Sequence, residues 1–116
     1  MPAWTARFLR GFRHAFDGIA WALLCQRNMR FHAAATLAVT GLGMVWNLEL
    51  WKWCVLCLCA GLVWTAEIFN TAIELLCDLV QPERDERVRR IKDTAAGAVL
   101  AAAIAAAVAG GIVFLC

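Results

Sequence analysis

The chain has 116 residues, of which 63% are hydrophobic types and only 17% are charged, and its mean hydropathy is +0.68. A soluble domain is nearer half apolar and a quarter charged, and one of this size could not cover so much apolar surface with so few charges. With a net charge of only +2, this excludes disorder, a nucleic-acid-binding module and most small soluble enzymes, and points to a single-domain integral membrane protein.

The first thirty residues are too polar to span a bilayer. At 100° per residue, Trp4, Phe8, Phe12, Phe16 and Ile19 fall within an arc of about 120°, and Arg7, Arg10, Arg13, His14 and Asp17 fall on the other side. The spacing predicts an amphipathic surface helix over about 4–29, with its apolar stripe in the interface. A cleaved leader is disfavoured, because such a leader passes directly into a short apolar core.

Residues 31–48 carry no formal charge, which is 18 residues and about enough for a hydrocarbon core. Residues 53–80 form a second apolar segment, interrupted by Glu67, Glu74 and Asp78. Pro82 follows it, where a helix can end. Residues 94–116 are uncharged over 23 positions, roughly 35 Å as a helix. The expected fold is therefore all-α, a membrane helical bundle of three transmembrane helices with an N-terminal amphipathic surface helix, all within one domain, 1–116.

The basic residues set an orientation. Five of the eleven (Arg7, Arg10, Arg13, Arg27, Arg30) precede the first apolar run, and five (Arg84, Arg87, Arg89, Arg90, Lys92) lie between the second and third. Only Lys52 stands apart. Lys and Arg mark cytoplasmic segments, so the N-terminus and second loop are expected in the cytoplasm, and the first loop and C-terminus outside. Trp46, Trp51 and Trp53 then mark the outer boundary, where indole rings favour the interface.

Chemistry is expected where polar groups enter the second span. Asn70, Glu74 and Asp78 follow Glu67 by 3, 7 and 11 positions, and all four fall within an arc of about 80°. Ionisable groups at membrane depth normally face a bundle interior or a wet cavity. Three carboxylates on one stripe repel one another unless cations or protons are present, and hard divalent cations take such oxygens. The plainer alternative is that these acids pair with arginines of neighbouring chains. Lys92-Asp93 stands at the mouth of the third span, where a lysine can hold a phosphate and an acid suits a helix start. The small residues of Thr94-Ala95-Ala96-Gly97-Ala98 read as a helix-packing surface. Neither a phosphate-cradling glycine loop nor a dinucleotide fingerprint is present. Cys54-x-x-Cys57 has a redox or zinc spacing but no second ligand pair, so the six cysteines read as small hydrophobes. His14 and His32 read as headgroup or packing contacts.

The run Glu67-Ile68-Phe69-Asn70-Thr71-Ala72-Ile73-Glu74-Leu75-Leu76-Cys77-Asp78 resembles the signature of the prokaryotic diacylglycerol kinase family. Lys92-Asp93-Thr94-Ala95-Ala96-Gly97-Ala98-Val99-Leu100 resembles its second block, and Gln26-Arg27-Asn28-Met29-Arg30-Phe31-His32 its third. The resemblance covers about residues 7–116 and extends to both diacylglycerol and undecaprenol kinases. It implies a homotrimer of three-span protomers in the bacterial inner membrane. It implies transfer of the γ-phosphate of ATP, with Mg2+, to a lipid hydroxyl at the cytoplasmic interface. It makes Glu67 the general base and Glu74 a magnesium ligand. Asn70, Lys92 and Asp93 become polar residues of the catalytic site, with Lys92 near phosphates. Glu83 and Arg7 fall on the nucleotide side, with Asp93 and Lys92. At Gln26, placed with Glu74 on the metal, the family usually has Glu, so a neutral oxygen replaces a charge. At Asp85 it often has His. The run Asn28–His32 is closer to the undecaprenol kinase branch. The rival readings are a non-enzymatic proton- or ion-conducting oligomer using Glu67 or Glu74, and a small scaffold whose acids are structural. No nucleic-acid partner is expected.

Overall fold

A computed structural model describes residues 2–116, which form four helices. These are α1 (Ala3–Cys25), α2 (Arg27–Trp46), α3 (Leu50–Val80) and α4 (Glu86–Leu115). The chain is all-α, as the periodicities require. Two of the helices, α3 and α4, are long and apolar enough to cross a membrane. Helix α2 has 20 residues, about 30 Å of rise, but Arg27 and Arg30 in its first turn and Thr36 and Thr40 further along make it less apolar.

The helices begin and end differently from the uncharged runs. The surface helix expected to reach residue 29 stops at Cys25, because Gln26 is extended (φ −110°, ψ 122°) and its N–H closes the last turn on the Ala22 carbonyl. Met29 consequently belongs to α2 and is fully buried. Helix α4 starts at Glu86, eight residues before the uncharged run, since charged residues are good helix formers wherever water or headgroups can solvate them. The side chain of Asp85 caps that start by accepting from the Arg87 N–H at 2.8 Å.

Helix α3 is the axis, packing against all three others. Its buried stripe runs through Lys52, Leu56, Val63, Glu67, Asn70, Thr71 and Cys77, so the polar stripe continues the apolar packing face. Its tightest partner is α4, which turns back after five residues and offers Ala95 and Ala102 to the contact. Small side chains let two backbones approach closely where lipid offers no hydrophobic drive.

Helices α2 and α3 run antiparallel, and three contacts mark their register: His32 meets Glu67, Thr36 meets Trp64, and Gly43 meets Trp53. Asn47 ends α2 in the left-handed region (φ 57°), and its N–H returns to the Gly43 carbonyl, a conformation asparagine tolerates well. At Gly43 the close approach is the constraint. A Cβ there would lie 2.8 Å from Cη2 of Trp53 and 3.1 Å from Cδ1 of Leu48.

The bundle has two unlike ends. Trp51 and Trp53 share one end with Trp46, whose ring meets Phe114 edge-on at 6.1 Å. Lys52 is buried there with its Nζ 5.6 Å from the Trp51 ring centre, a cation–π distance. The polar groups of α3 occupy the other end, with Arg84 of the α3–α4 turn and Arg87, Arg89 and Arg90 in the first turns of α4. Helix α1 buries only Ala22 among the described residues and leaves Trp4, Phe8, Phe12 and Phe16 exposed along its apolar stripe.

Any side chain at Gly43, even a methyl, must displace the Trp53 indole. Gly43→Leu is expected to cost about 1–3 kcal/mol and to lower the melting temperature in detergent, with Trp53→Ala recovering part of the loss in the double variant. Circular dichroism melts of the three variants check this.

Candidate functional site

The polar stripe of α3 lies on the buried face, graded from inside to outside. Glu67 is 3% exposed and Asn70 5%. Glu74 is half-buried, and Asp78 is exposed. From Glu67 to Asp78 is about 16 Å along the helix axis. The stripe therefore leads from the bundle interior to its charged end.

Each member has a partner. The Glu67 carboxylate faces α2, where His32 Nε2 stands 3.3 Å from its Oε2. Thr71 donates its hydroxyl to the Glu67 carbonyl at 3.0 Å, which ties the side chain to its own turn. Asn70 donates Nδ2–H to Glu74 Oε1 at 3.3 Å. Its Oδ1 is buried without a hydrogen-bond partner. Lys92 of α4 donates to Asp78 Oδ1 at 2.6 Å across the α3–α4 turn.

The remaining candidates lie apart from this line. Asp93, next to Lys92 in sequence, turns outward and approaches Arg89 at 3.8 Å. Glu83 is exposed in the α3–α4 turn, and Arg7 is exposed on α1. Gln26 stands at the α1–α2 junction, where its backbone N–H is used and its side chain makes no hydrogen bond among the described residues. Within one chain the structure thus brings together Glu67, Asn70, Glu74, Asp78 and Lys92, with His32 added. Of the cysteines only Cys77 is buried, and all six are free. A groove of about 670 Å³ between Ile73 of α3 and Ile91, Thr94 and Ala98 of α4 is lined also by Arg87 and Arg90 and by none of the stripe residues.

His32 was expected as a packing or headgroup contact, and it is the one side chain of the site that sequence reasoning missed. Its partner lies 35 residues away, and only the antiparallel register joins them. Trp64 donates its indole N–H to Thr36 Oγ1 at 2.9 Å, and Thr36 donates to the His32 carbonyl at 2.8 Å.

The magnesium implied by the sequence has oxygens to meet. Glu74 is a carboxylate, and the buried Asn70 Oδ1 beside it is an acceptor lacking a donor. Among the described residues no group of three or more His, Cys, Asp or Glu side chains forms a ready-made cage. Magnesium keeps several waters and takes one or two carboxylates together with substrate phosphates, so these residues fit an ion shared with a nucleotide.

The family model described as prokaryotic diacylglycerol kinase matches residues 13–114. The chain belongs to that family. It is 37% identical over 109 residues to the undecaprenol kinase of Bacillus subtilis, covering 94% of this chain and 89% of the relative. It is 40% identical over 116 residues to the diacylglycerol kinase of Synechocystis sp., covering 97% of this chain and 66% of the relative. As a family member the protein is a lipid kinase, a membrane phosphotransferase that acts on an alcohol group.

In this kinase Asp85 is committed to the fold. Hydrogen bonds from the Arg87 side chain, then from its backbone N–H, hold the Asp85 carboxyl down from the ordinary 3.8 to about 2. The same clamp raises the Arg87 guanidinium. A depressed acid stabilises the folded state fully above its ordinary value and loses that contribution as pH falls through the folded one. The Arg87 amide-proton shift is therefore expected to titrate with a midpoint near 2 rather than 3.8. Asp85→Ala should remove the titration, as NMR in micelles would record.

Proposed function

We propose that this lipid kinase transfers the γ-phosphate of ATP, with magnesium, to the hydroxyl of a membrane lipid at the cytoplasmic face of the bacterial inner membrane. The observation that carries the reading is the graded stripe on α3. A buried carboxylate sits at its inner end, and a lysine from α4 sits at the end open to water. A lipid hydroxyl is a poor nucleophile and needs a base within hydrogen-bond reach. Glu67 is that base. Phosphoryl transfer asks the protein mainly for positioning and charge neutralisation.

The roles follow from position. Glu67 accepts the proton of the lipid hydroxyl as its oxygen bonds the γ-phosphorus and the bond to the departing ADP breaks. Glu74, with Asn70 Oδ1 beside it, would hold magnesium, which neutralises phosphate charge when bound. By the family resemblance Gln26 would add a neutral oxygen to that set, while within one chain its side chain makes no bond to it. Lys92 exchanges Asp78 for a phosphate. Asp93, Glu83 and Arg7 lie on outer faces that are open to nucleotide and headgroups, and act there.

The membrane arrangement is part of the same reading. Helix α2 is the third crossing, and α1 lies in the cytoplasmic interface with its exposed Trp4, Phe8, Phe12 and Phe16 toward the acyl chains. Ten of eleven basic residues fall on the cytoplasmic side. The N-terminus is then inside and the C-terminus outside. Large apolar side chains remain exposed on α2, α3 and α4, a surface suited to lipid and to further copies in a homotrimer. The Asn28–His32 run, with the match over 89% of the Bacillus subtilis undecaprenol kinase, supports undecaprenol ahead of diacylglycerol as the acceptor in this reading. The ion-conducting alternative finds no support in either relative.

Purified protein supplied with undecaprenol or diacylglycerol should consume ATP only with magnesium and lipid present, and faster with undecaprenol. Glu67→Gln is expected to reduce lipid phosphorylation by at least about 100-fold while the fold is kept. Near-normal turnover would remove Glu67 as the base. A second expectation concerns the metal. Gln26→Glu should lower the magnesium concentration needed for half-maximal rate, and an unchanged titration would place Gln26 away from the ion.

A further inference from the structure

We propose that His32 is a positioning residue for Glu67. The idea rests on the kinase reading above and adds a residue to it.

A carboxylate that is 3% exposed in an apolar bundle requires a polar partner, since an unpaired buried charge is costly. Helix α2 supplies one side chain to the carboxylate, and it is His32, with Nε2 at 3.3 Å from Oε2. The two atoms are within ion-pair distance but are not aligned as a hydrogen bond, as contacts around a catalytic base often are not before substrate binds. Once aligned by substrate, an imidazole donating Nε2–H to Oε2 would hold one oxygen and leave Oε1 for the lipid hydroxyl. It would also fix the carboxyl plane, so that the second oxygen points in one direction.

His32 is itself held. Thr36 donates to the His32 carbonyl at 2.8 Å and accepts from Trp64 Nε1 at 2.9 Å. Trp64 lies on α3 one turn before Glu67. The same α2–α3 seam therefore carries a second cross-helix bond one turn from the first. Phe31 packs edge-on to the imidazole at 5.6 Å. The ring is 14% exposed, shielded enough to keep its geometry. The chain Trp64, Thr36, His32 and Glu67 thus joins the base to a helix interface rather than to a loop.

The test uses full-length protein in lipid-supplemented micelles, with undecaprenol and diacylglycerol as acceptors. His32→Leu is expected to lower kcat about 100-fold, the scale of losing alignment at a reacting centre, with KM for ATP within about twofold. His32→Gln places an amide N–H near the former Nε2 and is expected to regain at least about tenfold over His32→Leu. His32→Asn, with the reach of Nδ1 only, should not. The Gln and Asn variants decide the matter if the Leu variant does not fold. Equal kcat for Gln and Asn, or a loss confined to KM, would overturn the role of His32 while the kinase reading stands. No lipid-stimulated ATP turnover by the wild-type chain would instead remove the kinase reading, and the role of His32 with it.

Discussion

A buried carboxylate in a bundle of apolar helices governs this structure. Glu67 sits on the packing face of α3 and is almost wholly shielded from water. Moving a charge to such a place costs several kcal/mol unless it is matched, so the surrounding helices must hold a fixed register. Helix α2 supplies the match through His32, and Trp64 with Thr36 repeats the connection one turn away. At the opposite end Gly43 lets the Trp53 ring pass close to the α2 backbone. Slippage of α2 by one residue would turn His32 by about 100° and leave Glu67 without its partner. The polar pair and the aromatic contacts thus specify the same alignment.

The rest of the chain separates two environments. Trp46, Trp51, Trp53 and Phe114 gather at one end, and all the basic side chains but Lys52 lie toward the other. Between them, α4 presents alanines to α3 and larger apolar residues to the outside. Van der Waals packing of small residues does the work that hydrophobic burial does in water. Few residues are fully buried, and the exposed surface carries many Leu, Ile, Val, Phe and Trp side chains. A water-soluble domain could not carry such a surface. For helices in lipid it is the ordinary condition.

Much of this was legible because the relevant signals are local. The Glu67, Asn70, Glu74 and Asp78 spacing places its own members on one face, and a helix of that sequence can do nothing else with them. The amphipathic stripe of α1 is equally local. Features that depend on contacts between helices were hidden. His32 looked like an isolated histidine because Glu67 reaches it only through the α2–α3 register. Thr36 and Trp64 were a usable hint, since their positions sum to 100 where those of His32 and Glu67 sum to 99, as antiparallel neighbours should. Lys92 was placed with its sequence neighbour Asp93, yet it turns to Asp78 across the α3–α4 turn, and Asp93 turns to Arg89. Side chains at i and i+1 do not share a helix face. Asp85 stood out only as a position where the family often has His, whereas it caps the start of α4.

The geometry also gives the stripe a direction. The buried end, Glu67, lies where a hydroxyl arriving from the bilayer could meet it, and the exposed end, Asp78 with Lys92, lies where a nucleotide arriving from water could. Asn70 and Glu74 stand between, at the level where phosphate charge would need neutralising. Lys92 is not free in this arrangement, since Asp78 holds it at 2.6 Å. The pair is more than one-third exposed on both sides, however, and exposed ion pairs are worth only about 0–1 kcal/mol. Opening it costs little compared with what a lysine gains against a polyphosphate, where charge-assisted bonds are stronger. The contrast with Glu67 is physical. In the proposed reaction the group that would stay put is buried and faces a partner on a second helix, and the group that would change partners is exposed and weakly held.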